Sequence, residues 1–316
     1  MLRSILCFIF LLPTLSAEQV PPDPLASLPP NATEALAQAD RVVVYKKSGK
    51  RELALHLFFP PGHQTDGPAR PGALFIHGGG WGGGAPAVHG YEALLLARRG
   101  MVTASISYRL LGQENGAESP ADCLADAKSA LRYLREHAPK LGLDPTRLAV
   151  GGGSAGAHLA AALATIPGYD DPDDRLETPV HPDALLLLYP AFDLIKGWKS
   201  GAAHCRRAQI DPASFSPATL AGKDFPPTLI LVGADDPVSP PASNSAFFER
   251  MKTLGRPVEI LTFAGKNHTL FSRQLDDPHF RSYLIHSQRF FQELGWLPEI
   301  PLPELPKLEF TRLRTP

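Results

Sequence analysis

The segment Leu148-Ala149-Val150-Gly151-Gly152-Gly153-Ser154-Ala155-Gly156-Ala157 decides the fold of this chain, because it places a G-x-S-x-G pattern directly after an apolar run. The apolar run predicts a strand and the alanine-rich residues after it predict a helix, so Ser154 lies on the turn between them. Gly152 and Gly156 lack the Cβ atoms that would collide where strand and helix pack closely at such a turn. The first turn of the helix directs free N–H groups and a positive dipole end at the serine oxygen. A serine at this position is predicted to attack carbonyl carbons.

Activation of Ser154 requires a histidine that accepts the hydroxyl proton and a carboxylate that orients the histidine. In an open parallel sheet with this pattern, the acid follows the serine along the chain and the histidine comes last. The acid candidates are Asp235 and Asp236, which come shortly after the predicted strand 228–232. We favour Asp236, because it precedes Pro237 in a G-x-x-D-P turn and leaves Asp235 to cap that turn or the following helix.

His268 is the predicted base. It follows the predicted strand 258–263, and the ligand crevice of an open α/β sheet forms at the carboxyl ends of its strands. The alternatives are that His268 is an ordinary surface histidine, or that His279 or His286 takes the role. Both rivals lie in a C-terminal region with a helical pattern rather than at a strand end, so their positions favour His268.

The run His77-Gly78-Gly79-Gly80-Trp81 follows another predicted strand, 73–76, and is the candidate oxyanion loop. Glycines allow backbone N–H groups to face a crevice without side chains in the way, and each such donor contributes ~3 kcal/mol to transition-state binding. We assign the N–H groups of Gly79, Gly80 and Ala155 to this role. His77 is predicted to anchor the loop. Trp81 is the candidate for contact with the substrate, with packing against the loop as the open alternative.

The first residues have the pattern of a secretory leader. Arg3 supplies a positive charge, residues 5–12 are almost entirely apolar, and Leu15-Ser16-Ala17 offers a small-residue cleavage site. The apolar run is too short to span a bilayer as a mature helix. We therefore predict a signal peptide over 1–17 and a secreted or periplasmic chain, with an uncleaved anchor as the alternative.

The remaining chain divides into a Pro/Ala-rich linker (18–40) with at most one short helix, a catalytic domain (41–296) and a Pro-rich irregular tail (297–316). Inside the domain, apolar runs typical of strands alternate with helical periodicity. The predicted strands are 42–45, 53–59, 73–76, 101–108, 148–150, 184–188, 228–232 and 258–263. This alternation predicts an α/β domain with a mostly parallel, doubly wound sheet and helices on both faces.

Composition narrows the possible partners. The 31 Lys+Arg nearly balance the 32 Asp+Glu, which argues against a nucleic acid or an anionic membrane as partner. The acidic cluster at 170–174 lacks a calcium-loop motif, and no nucleotide fingerprint stands in the right context, so no metal or cofactor is predicted. Two cysteines follow the predicted leader, Cys123 and Cys205; a disulfide and buried free thiols both remain open.

Together the motifs H-G-G-G-W, Tyr108-Arg109-Leu110, G-G-S-A-G and G-x-x-D-P, in this order, resemble those of the α/β-hydrolase esterases. The chain is similar to their bacterial BD-FAE-like (feruloyl and acetylxylan esterase-like) group, a neighbour of the hormone-sensitive-lipase group. The resemblance runs over 42–292 and implies the α/β-hydrolase fold and a Ser154, Asp236 and His268 triad. Gly153 departs from the acidic residue usual in hormone-sensitive-lipase relatives, and Ala157 replaces a common glycine.

These observations predict a secreted serine ester hydrolase whose substrates are small-molecule or carbohydrate esters, with acetyl or feruloyl esters of sugars as one possibility. Two alternatives stay open. A prolyl-oligopeptidase-like peptidase would use the same triad, although it normally carries a large additional domain that this chain lacks. A non-catalytic binding module on the same fold usually loses the serine or the histidine, and both residue types are present here.

Overall fold

This computed structural model describes residues 24–316, so the predicted signal peptide lies outside the described residues. The strands are β1 (Arg41–Ser48), β2 (Arg51–Phe58), β3 (Arg70–Ile76), β4 (Val102–Ile106), β5 (Leu143–Gly153), β6 (Ala184–Leu188), β7 (Thr228–Gly233), β8 (Val258–Phe263) and β9 (Phe310–Arg314). The helices are α1 (Ala32–Leu36), α2 (Gly90–Arg98), α3 (Pro120–Glu136), α4 (Ala138–Leu141), α5 (Ala155–Thr165), α6 (Lys199–Arg207), α7 (Pro217–Leu220), α8 (Pro241–Thr253) and α9 (Pro278–Glu293). Short 3₁₀ helices cover Pro86–His89 and Pro212–Phe215.

These strands form one sheet in the order β1-β2-β4-β3-β5-β6-β7-β8-β9. From β4 to β8 the neighbours are parallel, whereas the hairpin β1–β2, the pair β2–β4 and the pair β8–β9 are antiparallel. The prediction of a mostly parallel α/β-hydrolase sheet is confirmed. The chain reverses its direction of winding between β3 and β5, and this is where parallel sheets of this kind open a crevice at the carboxyl ends of their strands.

The sheet is buried on both faces, as a continuous apolar run predicts. On β6, Leu185 and Leu187 belong to one hydrophobic core, while Leu186 and Leu188 belong to a second core on the other face. Helices α3, α5 and α8 pack into the first core, and α1, α2 and α9 into the second. Full burial of each such leucine contributes about 1.5–3 kcal/mol, so the strands that carry the site are held rigidly from both sides.

The start of α3 follows its sequence pattern. Ser119 is the N-cap in extended conformation, and Asp122 accepts a hydrogen bond from the Ser119 N–H at 2.9 Å in an S-x-x-D capping box. Pro120 occupies the first turn, where its missing N–H costs nothing. This helix therefore begins where local chemistry alone predicts it.

The predicted tail is not wholly irregular: strand 258–263 has the predicted bounds, but it is not the last strand. Residues 310–314 form β9, which pairs antiparallel with β8 from Glu259↔Arg314 to Phe263↔Phe310. The strand carries three polar residues in five and follows a proline-rich stretch, so it has no apolar run to reveal it. Its position depends on the free edge that β8 offers, which only the assembled sheet creates.

The predicted linker also packs against the domain over its described part. It contains α1, within the predicted limit of at most one short helix, and its residues Leu25, Leu28 and Ala35 are buried in the second core. Leu25 and Leu28 stand among closely spaced prolines, so no helical or strand period in the sequence marks them as core residues. Residues 24–40 are therefore a packed extension of the domain rather than a free linker.

Between residues 24 and 316 there is no disulfide: Cys123 and Cys205 are both buried free thiols. Burial raises the pKa of Cys205 to about 12, so its thiol stays protonated and unreactive near neutral pH. Within residues 24–316, no helix combines the length and the apolar character needed to cross a membrane.

Candidate active site

Ser154 lies on a strained turn between β5 and α5. Its backbone has φ 54° and ψ −118°, a region that non-glycine residues rarely adopt. The turn is held by the Ser154 N–H, which donates to the carbonyl of Leu188 at 2.9 Å, and by the Ser154 carbonyl, which accepts from Ala191 at 3.2 Å. A Cβ atom on Gly156 would lie 2.0 Å from the carbonyl oxygen of Ile76, so the close approach of helix and strand requires glycine there.

The structure brings together the three side chains that the sequence singled out. The Ser154 hydroxyl Oγ lies 2.8 Å from Nε2 of His268. Nδ1 of the same imidazole lies 2.9 Å from Oδ2 and 3.0 Å from Oδ1 of Asp236. His268 therefore bridges serine and carboxylate through its two ring nitrogens, which is the arrangement a general base requires.

The carboxylate of Asp236 is held in place by the backbone of its own turn. Its Oδ1 accepts hydrogen bonds from the N–H groups of Val238 at 2.8 Å and Ser239 at 2.9 Å, and the residue is 1% exposed. Asp235, the rejected alternative, is exposed; its side chain has no hydrogen-bond partner in the described part of the chain, and its backbone N–H donates to the carbonyl of Lys266. The two neighbouring aspartates thus point to opposite environments, and only Asp236 reaches the imidazole.

The glycine loop after β3 lies against the nucleophile. A Cβ atom on Gly78 would come within 3.3 Å of the Ser154 Cβ, so this stretch of backbone passes directly beside the serine. Gly79 and Gly80 have φ values of 110° and 64°. Among the described residues, their N–H groups and that of Ala155 have no hydrogen-bond acceptor. Three free donors beside a serine fit the predicted oxyanion site.

His77 anchors this loop. Its ring stacks on Tyr108 with centroids 4.3 Å apart, and the Tyr108 hydroxyl donates to the His77 carbonyl at 2.9 Å. Its Nδ1 is 2.9 Å from the Gly78 carbonyl. Burial lowers the pKa of His77 to about 4, so the ring is neutral at physiological pH.

The prediction that Trp81 contacts the substrate is wrong. Its side chain is 0% exposed and its ring packs against those of Trp198 at 4.2 Å, His158 at 4.9 Å and Phe215 at 6.1 Å. Two of these aromatic partners come from the segment 191–225, which the sequence shows only as an insertion between strands. The insertion covers the indole, so Trp81 packs against the loop and stabilises it. Packing against the loop was the alternative that the sequence left open.

Sequence reasoning missed two side chains beside the triad. Tyr189 directly follows β6, and its ring lies perpendicular to that of His268 with centroids 5.2 Å apart. Arg273 lies in the loop that carries His268 and donates to the Tyr189 hydroxyl at 3.4 Å. The signal for Tyr189 was its place at the carboxyl end of a buried strand, the same signal that identified Asp236 and His268. Arg273 had no comparable signal, because its partners are distant in the chain.

The acidic cluster at 170–174 is occupied by cations of the chain itself. Arg132 pairs with Asp170 at 2.6 Å and with Asp174 at 2.8 Å, and Lys46 pairs with Asp171 at 2.5 Å. The cluster therefore joins α3 and β1 to this loop instead of being a solvated turn. Within the described part of the chain, no group of three or more His, Cys, Asp or Glu side chains is placed to hold a metal ion.

Gly79→Ala is expected to lower kcat about 100-fold with a smaller change in KM. A Cβ at this position would lie 2.4 Å from the Gly83 carbonyl oxygen on a backbone with φ 110°, so the loop must shift and carry its N–H away from the oxyanion. Loss of one such donor costs about 10²–10³ in rate. Steady-state kinetics with p-nitrophenyl acetate measures kcat and KM of the variant. Gly82→Ala is the matched control, since its nearest contact would be 3.6 Å away; equal losses in both variants would exclude the proposed role of Gly79.

Buried histidines should make the protein less stable in mild acid. Burial lowers the pKa of His77, His158 and His286 from 6.5 to about 4, so the unfolded chain binds more protons between these values. The contribution of these histidines to the free energy of unfolding is fully present above pH 6.5. It falls as the pH drops towards 4, by about 1.4 kcal/mol per pH unit and histidine. Denaturant unfolding at a series of pH values measures the slope. His286→Leu, which removes a ring whose Nε2 has no partner among the described residues, should reduce the slope by about one proton. An unchanged slope would contradict the assignment.

Comparison with known proteins places the chain among esterases. The protein-family model described as BD-FAE matches residues 55–251. The chain is 30% identical over 230 residues to Esterase LipC of Mycobacterium tuberculosis, which covers 65% of this chain and 55% of LipC. It is 27% identical to a probable isoprenylcysteine alpha-carbonyl methylesterase of Arabidopsis thaliana over 75% of this chain and 52% of that protein. The chain therefore spans about half the length of these two curated relatives.

Solved structures extend the similarity to the whole fold. Esterase 2 of Thermogutta terrifontis with bound propionate superimposes with a TM-score of 0.77 at 30% sequence identity, covering 84% of this chain and 97% of that esterase. The same esterase phosphorylated by paraoxon gives a TM-score of 0.75 at 31% identity, covering 83% and 97%. The architecture around Ser154 is thus one on which esterases are built.

Proposed function

The chain belongs to the BD-FAE family, and from that premise we propose that it is a serine carboxylic-ester hydrolase that acts through Ser154, His268 and Asp236. The observation that carries the proposal is the pair of contacts of one imidazole, 2.8 Å to the serine hydroxyl and 2.9 Å to a buried carboxylate. A phosphorylated form is known for the structurally similar esterase 2, which is consistent with a nucleophilic residue in this fold.

The first half of the reaction acylates the serine. Nε2 of His268 removes the Ser154 hydroxyl proton while Oγ attacks the ester carbonyl carbon. The N–H groups of Gly79, Gly80 and Ala155 stabilise the negative charge that develops on the carbonyl oxygen. Asp236 stabilises the imidazolium, which then donates the proton to the departing alkoxide. The alcohol leaves, and the acyl group stays on Ser154.

The second half repeats these steps with water. His268 removes a proton from a water molecule, the hydroxide attacks the acyl carbon, and the same N–H groups stabilise the second oxyanion. The imidazolium returns the proton to Ser154 Oγ as the acid leaves. Every proton transfer uses the imidazole alone, so the proposed cycle needs no metal or cofactor.

The proposed substrates are short-chain acyl esters, with acetyl or feruloyl groups on carbohydrates as the natural candidates. Propionate and butyrate occur bound in the structures of the similar esterase 2, which supports a preference for short acyl chains. The resemblance to feruloyl and acetylxylan esterases supports the carbohydrate part.

A probe and a substrate panel test this function. The purified protein should react covalently with a fluorophosphonate probe and should hydrolyse p-nitrophenyl acetate and butyrate faster than long-chain esters. Release of acetate from acetylated xylan, or of ferulate from feruloylated sugars, would support the carbohydrate assignment. Absence of probe labelling would favour the non-catalytic binding module, and cleavage of peptide amides in preference to esters would favour the peptidase.

Export from the cytoplasm is part of the proposal, since an esterase for polysaccharides meets its substrate outside the cell. The leader pattern over 1–17 supports it. Expressed in a bacterial host with its own N-terminus, the protein should be recovered outside the cytoplasm with Glu18 as its first residue by N-terminal sequencing. Phe8→Arg should retain it inside by interrupting the apolar run, whereas Gln19→Arg should not. Retention of the wild-type chain in the cytoplasm would contradict export.

A further inference from the structure

Tyr189 occupies an unusual position beside the catalytic histidine. It directly follows β6 with φ 34°, and its N–H donates to the carbonyl of Leu231 at 2.6 Å, so the backbone holds the ring at the carboxyl edge of the sheet. The half-buried ring contacts that of His268 at an interplanar angle of 74°. The hydrogen bonds of His268 to Ser154 and Asp236 leave its ring free to tilt about the line that joins its two nitrogens. A perpendicular ring beside it restricts that tilt.

The glycine before the nucleophile is explained by the same tyrosine. A Cβ atom on Gly153 would lie 2.9 Å from the Tyr189 hydroxyl oxygen and 3.2 Å from its Cε2. The backbone of Gly153 is not in the left-handed region, so its conformation would permit a side chain. Position 153, which is usually acidic in hormone-sensitive-lipase relatives, is glycine here, and the Tyr189 ring fills the space that a side chain would take.

The buried ion pair Arg273–Glu92 contacts the hydroxyl of Tyr189. Arg273 donates to the Tyr189 hydroxyl at 3.4 Å and to Oε1 of Glu92 at 2.8 Å. Nδ1 of His89 lies 2.9 Å from the same Glu92 oxygen. Burial by itself would raise the pKa of Glu92, but the Arg273 and His89 charges outweigh it and hold that pKa at about 2, so the carboxylate is ionised and paired.

This ion pair also anchors the loop that carries the base. Arg273 follows His268 by a few residues, has φ 54°, and lies over the rings of Phe271 at 5.6 Å and Phe280 at 6.0 Å. Glu92, its partner, is 1% exposed and belongs to α2, which packs on the second face of the sheet. One guanidinium thus connects the His268 loop, the Tyr189 ring and the rigid body of the domain.

We propose that Tyr189, held by the Arg273–Glu92 ion pair and given room by Gly153, is a positioning residue that keeps the His268 imidazole aligned with Ser154. The inference rests on the proposed function, in which that imidazole is the base. Misplacement of a reacting group by about 1 Å can cost about 100-fold in rate, so the effect falls on the chemical step rather than on substrate binding.

Kinetic variants test the role. Tyr189→Leu is expected to lower kcat about 10- to 100-fold with KM changed less than about twofold. Arg273→Lys keeps the charge opposite Glu92, and so the fold, but loses the planar fork that reaches Tyr189; it should lower kcat by a smaller factor. Tyr169→Leu, at an exposed tyrosine outside this network, is the matched control and should keep wild-type kcat. Wild-type kcat in Tyr189→Leu would overturn the inference.

A double-mutant cycle separates positioning from a general loss of structure. Gly153→Ala should lower kcat by pushing the Tyr189 ring away, but it should have no further effect in the Tyr189→Leu background, where the ring is gone. Losses that multiply in the double variant would overturn the inference, because the two residues would then act independently.

An NMR measurement keeps the inference testable apart from turnover. The proton that His268 Nδ1 shares with Asp236 should give a resolved low-field signal in the wild-type protein, and Tyr189→Leu should broaden it through ring motion. A signal equally sharp in both proteins would overturn positioning, whatever the activity. If the wild-type protein instead shows the signal and its loss in Tyr189→Leu but neither labels nor hydrolyses esters, the proposed function fails and the positioning stands.

Discussion

Ser154→Ala is expected to reduce ester hydrolysis by about 10⁶-fold and to abolish labelling by a fluorophosphonate probe. The variant removes the atom that forms the acyl bond, and within residues 24–316 no other hydroxyl is bonded to Nε2 of His268, which lies 2.8 Å from the Ser154 Oγ. The rate that remains would come from the oxyanion donors and substrate binding alone. The free energy of unfolding should be retained or improved, because alanine can adopt the same backbone conformation as serine. The substitution also leaves the buried residues around the turn unchanged. Steady-state kinetics, gel-based probe labelling and thermal unfolding measure the three effects.

Ser214→Ala is the control for this experiment. Ser214 is an exposed serine in the 3₁₀ helix Pro212–Phe215, and its hydroxyl donates to the carbonyl of Asp211 at 2.9 Å, so its loss should leave hydrolysis and labelling unchanged. Labelling that persists in Ser154→Ala would mean that another residue reacts with the probe, and hydrolysis that persists with it would remove the basis of the proposed mechanism.

Asp236→Asn should lower kcat by about 10⁴-fold with little effect on the fold. Oδ1 of Asp236 accepts two backbone N–H groups, so the asparagine oxygen would take that place and its NH₂ would face Nδ1 of His268. The imidazole would then carry its proton on Nε2, and a protonated Nε2 cannot accept the proton of Ser154. The loss therefore comes from the wrong tautomer rather than from a missing contact.

The neighbouring aspartate supplies a matched control. Asp235→Asn makes the same chemical change one residue away, on a side chain that is exposed and does not reach His268. It should keep wild-type kcat and KM. If Asp235→Asn were the more damaging of the two, the assignment of the orienting acid would be reversed.

Several elements could be predicted from the local sequence, because the interactions that form them join residues that are near each other in the chain. The capping box at Ser119 and Asp122 begins α3 with contacts three residues apart. The alternation of apolar runs with helical periods predicted the parallel sheet, since strands buried on both faces must be apolar throughout. The assignment of Asp236 rather than Asp235 used the proline that follows it, and the structure turns Asp236 towards the imidazole.

Other features escaped because their causes lie far apart in the chain. β9 forms only because β8 offers an open edge, and its own residues are mostly polar. Trp81 is buried by rings from positions 198 and 215, more than a hundred residues later. Tyr189 and Arg273 meet across 84 residues of sequence, so no local pattern marks their contact.

By itself, the sequence determined the strand–turn–helix that carries Ser154 and the order of the acid and base along the chain, because steric limits on glycine-rich turns and the apolar periods of strands act between near neighbours. The tertiary structure alone decided which rings cover Trp81, which strand closes the sheet at β8 and which side chains hold His268. Those outcomes depend on surfaces that exist only after distant segments have packed together, and a contact between distant residues leaves no period in the sequence.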